Sequence, residues 1–95
     1  MRLTSEWDEK KAEENFRKHS VNFEEAETVF DDPLSITIPD LGHSTDEERF
    51  IDIGQSDQKR ILVVVYTERR TKIRLISARL AAPSERKAYE KENFF

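Results

Sequence analysis

Ile61-Leu62-Val63-Val64-Val65-Tyr66 is the longest apolar run in the chain, and it decides the fold class. It falls far short of the roughly 20 residues needed to cross a bilayer, and its valines and isoleucine favour extended backbone. With Arg60 and Thr67 at its ends it reads as a strand apolar on both sides, so it belongs at the centre of a sheet with both faces covered. Working outward, Lys72–Leu80 alternates. Ile73, Leu75, Ser77 and Arg79 fall on one side and Arg74, Ile76 and Ala78 on the other, so Arg74 and Arg79 share a face only if a bulge intervenes. Arg69–Thr71 joins these two strands as a hairpin. Upstream, Arg49–Gln55 and Leu34–Ile38 supply two more strands. Gly54 marks a bulge or a close backbone approach.

The flanks are helical. Asp8 caps a helix from about Glu9 to His19, with Ala12 and Phe16 expected on its core side. Asn22 caps a second helix, with Glu25 at the capping-box spacing and Phe23, Ala26 and Phe30 on one face. Asp31-Asp32-Pro33 ends that helix, because proline disfavours helical geometry in the residue before it. Pro83 and Ser84 open a last helix through about Asn93, with Tyr89 directed at the sheet. Pro39–Glu47 reads as a loop and Asp57–Lys59 as a tight turn. The expected fold is α+β: two N-terminal helices packed on an antiparallel sheet of about four strands, followed by a C-terminal helix. A short segment near Leu3–Trp7 could extend the sheet's edge.

A chain of 95 residues makes one small domain, 1–95. It contains no cysteine, so neither disulfides nor thiolate metal sites are available. No apolar leader is visible at the N-terminus, and a cytoplasmic protein with no membrane association is expected. The net charge of −4 conceals an asymmetry. Residues 1–57 hold 16 Asp/Glu against 6 Lys/Arg, whereas residues 58–95 hold 4 against 10. An acidic helical half and a basic strand half suggest two different surfaces, although charged faces also serve simply to solvate a small domain.

Several chemistries are excluded by pattern. There is no glycine-rich phosphate loop and no nucleophile elbow. His19 and His43 have no partners at metal-ligand spacing, and Asp31-Asp32 reads as a helix end rather than a magnesium site, so no metal and no cofactor is expected. Cations concentrate around the hairpin: Arg60, Arg69, Arg70, Lys72, Arg74 and Arg79. Guanidinium groups grip phosphate oxygens in pairs, so part of this set can cradle an RNA phosphate, while strand-edge cations also discourage aggregation. Arg79 stands out because a long charge late in a strand needs a specific partner. Trp7 suits a staple ahead of the cap, or a stacking surface for a base. The Tyr66 ring reads as buried with its hydroxyl near a polar pocket. His19, at a helix C-terminus, serves as a cap, an acid or a phosphate contact.

The segments Trp7–Lys11, Asn15, Lys18–Val21, Phe23–Ala26 and Val29–Pro33 resemble the BrnT toxin family. The likeness continues through Glu48-Arg49, Ile53-Gly54, Leu62–Arg69 and Arg74–Arg79, and closes with Glu85, Tyr89 and Glu90. The resemblance covers about residues 6–90. It implies a RelE-like fold and the toxin of a type II toxin–antitoxin pair, a ribonuclease that halts translation. It also implies a BrnA-like antitoxin with a ribbon-helix-helix module, assembled as two toxins and two antitoxins, through which alone operator DNA is contacted. The chain lacks the dense lysine and arginine surface of many RelE-like toxins, so free RNA is the expected substrate.

Metal-independent RNA cleavage needs a base for the 2′-hydroxyl, cations for the phosphate and an acid for the leaving 5′-oxygen. The expected catalytic set is Arg69 and Arg79 for charge, Glu48 as base and His19 as acid or second base. Lys18, Tyr66 and Trp7 are expected to bind substrate. The alternative is a non-catalytic binding module whose acidic helical half docks a basic partner.

Overall fold

A computed structural model describes residues 4–40 and 47–93. The order is β1 (Thr4–Glu6), α1 (Glu9–His19), α2 (Phe23–Glu27), a 3-10 turn (Thr28–Asp31), β2 (Ile36–Pro39), β3 (Arg49–Gln55), β4 (Ile61–Arg69), β5 (Lys72–Leu80) and α3 (Pro83–Asn93). The sheet runs β1-β5-β4-β3-β2, so the apolar run is its central strand. The sheet has five strands and is mixed: to the roughly four antiparallel strands expected it adds β1, which lies in the Leu3–Trp7 segment expected at the edge. β1 pairs in parallel with β5 over three residues, and a strand that short carries no alternation to read.

The two ends of α1 are fixed by local chemistry. The Asp8 carboxylate accepts from the Lys10 and Lys11 amides, and Ser20 ends the helix in a left-handed conformation while its N–H donates to the Phe16 carbonyl. Asn22 caps α2 by accepting from the Glu25 amide. The Glu25 side chain does not close the capping box. It turns away and joins Arg60 and Ser56 at the β3–β4 turn.

Two apolar layers follow from strand parity. On one face Leu62, Val64, Tyr66, Ile73, Leu75 and Ala78 pack against Val21, Phe23, Ala26 and Val29. On the other, Ile53 and Val63 pack against Tyr89 of α3. Gly54 is a close approach: a Cβ there would lie 2.9 Å from both Ser35 Cβ and Val29 Cγ1. Phe16, expected in the core, is 53% exposed, and Asn15 at 7% takes the inward position instead. α1 therefore meets the sheet through a carboxamide rather than a ring.

Glu25, only 4% exposed, ties α2 to the β3–β4 turn through Arg60 and Ser56. The Arg60 guanidinium holds its carboxyl below the usual range, against the opposing pull of burial. Asp32 is also held low: burial pushes it up, but donation from the Gln55 amide, Tyr89 and the Leu34 amide outweighs that. Glu85 is lowered by Arg79. Asp52 is raised by burial and works in the opposite sense. A carboxyl depressed by folding adds stability above its unfolded value, 4.5 for Glu25, and loses it as pH falls through the folded value. The melting temperature should therefore drop on acidification below that value. Glu25→Gln should flatten this acid limb, as read by thermal melts at stepped pH, and an unchanged slope would contradict the assignment.

Candidate functional site

The register of β4 on β5 slips between Val65 and Tyr66. Val65 lies opposite Ser77 and Tyr66 opposite Leu75, leaving Ile76 as an extra residue. The bulge resets the alternation. Arg79 and Ser77 share a face with Val63 and Val65, and beyond the bulge Arg74 and Lys72 return to that same face opposite Thr67 and Arg69. Arg49 joins them from β3, opposite Thr67. Unbroken alternation would have put Arg74 and Arg79 on opposite sides. One surface of the sheet, on the side of α3, thus gathers the cations of three strands.

Most of these cations are already tethered to acids. Arg79 grips Glu85 of α3 with two bonds of 2.7 and 2.8 Å, and Glu85 also accepts from the Ala82 amide. Arg74 and Lys72 lie 3.3 and 3.6 Å from Glu6, and Arg69 is 3.0 Å from Glu47. Thr67, at 1% exposure, has a buried hydroxyl with no hydrogen-bond partner.

The outer edge of β5 pairs with β1 only from Lys72 to Arg74. Further along, Asn15 of α1 takes the place of a neighbouring strand. Its Nδ2 donates to the Ala78 carbonyl at 2.8 Å, its Oδ1 accepts the Ala78 N–H at 3.1 Å, and Nδ2 also reaches the Val21 carbonyl at 2.9 Å. This pins α1 alongside the edge. Lys11, Glu14, Lys18 and His19 then face Ile76 and Ser77 across a cleft of about 300 Å³. The cleft offers two ammonium groups, an imidazole, a carboxylate and a hydroxyl. Ser77 belongs both to this cleft and to the arginine-bearing face, so the two basic regions meet at the bulge. Among the described residues, no group of three or more His, Asp or Glu is placed to hold a metal ion. No helix among them is long and apolar enough to cross a membrane.

Residues 7–85 match the family described as the ribonuclease toxin, BrnT, of type II toxin–antitoxin systems. The chain belongs to the BrnT ribonuclease toxin family. Its fold is similar to the 1.1 Å crystal structure of the Brucella abortus ribonuclease toxin, BrnT, with a TM-score of 0.64 and 24% identity over 86% of this chain and 97% of that one. No curated protein matches the chain.

Within this BrnT-family chain, the residues singled out in the sequence separate into three places. Lys18 and His19 share the α1–β5 cleft. Arg79 sits on the adjoining face, two positions beyond Ser77. Arg69 and Glu48 lie elsewhere: Arg69 is six residues from Val63, the cross-strand partner of Arg79, which is roughly 20 Å at strand rise. Glu48 is exposed just ahead of β3. Tyr66 is buried, and Trp7 is half-buried against the edge of the core. The Tyr66 ring meets Phe30 edge-on at 5.0 Å and its hydroxyl donates to Asp52; burial first, and then the Asp52 carboxylate, push its ionisation up. Trp7 packs edge-on against Phe23 at 5.8 Å, and its indole N–H donates to Glu9. His43 lies outside the described residues. The cleft also contains Lys11, Glu14 and Ser77, which were not singled out. Lys11 and Glu14 carry a signal in their spacing with Lys18 on one helical face, a pattern that any solvated helix also shows, and Ser77 carries none.

Proposed function

We propose that this BrnT-family toxin is a metal-independent endoribonuclease whose substrate strand crosses the free edge of β5 at the Ile76 bulge. The observation that carries this reading is the α1–β5 cleft, where His19, Lys18, Lys11 and Glu14 face Ser77 beside the arginine-bearing surface. RNA carries its own nucleophile. The 2′-oxygen attacks the adjacent phosphorus, its proton passes to a base, and the bond to the 5′-oxygen breaks as an acid protonates that oxygen. His19 and Glu14 are the proton-transfer pair in this scheme, and the two lysines offset charge on the phosphate. Arg79 borders the site with its guanidinium oriented by Glu85, whose carboxylate offsets most of its charge until a phosphate competes for it. Arg69 and Glu48, which stand apart from the cleft, have supporting roles in strand binding at most.

Cleavage of messenger RNA accounts for inhibition of translation, and a cytoplasmic site of action follows from that substrate. A BrnA-like ribbon-helix-helix antitoxin, in a complex of two toxins and two antitoxins, neutralises the toxin and carries all contact with operator DNA.

The test is cleavage of a labelled RNA in excess EDTA. The expected products end in a 2′,3′-cyclic phosphate, and Arg69→Ala and Glu48→Ala retain most of the activity. Cleavage abolished by EDTA and restored by magnesium would overturn the metal-independent reading. Loss of all activity in Glu48→Ala would move the site to the β3 end of the sheet.

A further inference from the structure

α1 has a second flank. Glu9, Ala12, Glu13 and Phe16 stand on it, and together with Arg17, Ser20, Asn22 and Glu24 they line a groove of about 740 Å³ between α1 and the start of α2. Phe16 is a large ring left 53% exposed in the middle of a helix whose other residues are mostly charged. Three carboxylates and one guanidinium border it. An RNA backbone is repelled by such a border, whereas a polypeptide carrying lysine or arginine on both sides of an apolar residue matches it.

We propose that this groove is the docking site for a basic amphipathic segment of the toxin's antitoxin. The inference rests on the reading of the chain as a toxin with a protein partner. An apolar side chain of the segment covers Phe16 and Ala12, and its flanking cations meet Glu9, Glu13 and Glu24. α1 alone separates this groove from the α1–β5 cleft, and a helix is only about 10 Å across. A partner anchored here has the rest of its chain within reach of His19 and Lys18, so anchoring and inhibition use opposite flanks of one helix.

The experiment titrates the toxin with its purified cognate antitoxin, using calorimetry at low and high salt. Phe16→Ser and the double variant Glu13→Lys/Glu24→Lys should each weaken binding by about tenfold or more, the range of a central interface residue. The double variant should also lose most of the salt dependence. Both should cleave RNA like the wild type, since none of these residues lies in the cleft. All three positions are exposed, and if Phe16→Ser misfolds, the charge variant alone decides. Hydrogen exchange on the complex should protect an antitoxin segment rich in lysine or arginine. Wild-type affinity in both variants, protection of an acidic segment, or loss of binding only in Lys11→Glu/Lys18→Glu would each overturn the proposal. A wild-type toxin that binds the antitoxin but never cuts RNA would instead defeat the ribonuclease mechanism and leave the groove standing.

Discussion

Asn15→Ala is expected to be the most destabilising single substitution at a polar position. The carboxamide meets three backbone groups at once: the Ala78 N–H, the Ala78 carbonyl and the Val21 carbonyl. An alanine leaves all three buried without a protein partner. Each such group costs about 1–3 kcal/mol, so a loss of about 3–5 kcal/mol is expected. In a domain of this size 1 kcal/mol moves the midpoint by about 4–8 °C, so the melting temperature should fall by roughly 15 °C or more. Asn15→Asp should not rescue it, because a carboxylate keeps the acceptor for the Ala78 N–H and loses both donors. Thermal melts followed by circular dichroism settle the matter, and a drop under about 4 °C in the alanine variant would contradict the role. Variants that survive should also lose RNA cleavage, because Asn15 holds α1 against β5 and that juxtaposition forms the cleft.

His19→Ala is expected to give the largest loss of activity with the fold intact. Removing a positioned general acid or base lowers rates by about 10²–10⁴-fold. His19 is half-buried at the last turn of α1, so its truncation leaves the core untouched. The melting temperature should stay within a few degrees of the wild type, in contrast to Asn15→Ala. Lys18→Ala should act mainly on substrate affinity, by way of a lost phosphate contact. The decisive measurement is single-turnover cleavage of a defined RNA with saturating enzyme, which isolates the chemical step. Full activity in both His19→Ala and Glu14→Gln would remove the cleft from the mechanism and return attention to the arginine-bearing face.

What the sequence misplaces or leaves open has a shared cause. The four-residue spacing from Ala12 predicts Phe16 inward, because an aromatic ring so placed is usually core. The structure buries Asn15 there instead, since a strand edge next to a helix presents backbone groups that only a polar side chain satisfies. Glu25 at its capping-box position was captured by Arg60, 35 residues away, a stronger partner than an amide. Arg74 and Arg79 could not be assigned to one face, because the bulge that unites them depends on how β5 registers on β4. Tyr66 is legible as a buried ring and Trp7 as a staple or a stacking surface, but whether a ring meets substrate or another ring depends on which elements pack over it.

Taken alone, the sequence determined the order and extent of the main elements, the central place of Ile61–Tyr66, the caps at Asp8 and Asn22, and the family. These depend on near neighbours along the chain: periodicity, capping geometry and local motif. Tertiary structure alone decided the parallel pairing of the edge strand, the Ile76 bulge, the tethering of Arg79 to Glu85, and the alignment of α1 with β5 that brings Lys18 and His19 to Ser77. The physical reason is that each of these is a pairing between groups far apart in sequence. Its strength depends on distance and burial, and neither exists until the chain has folded.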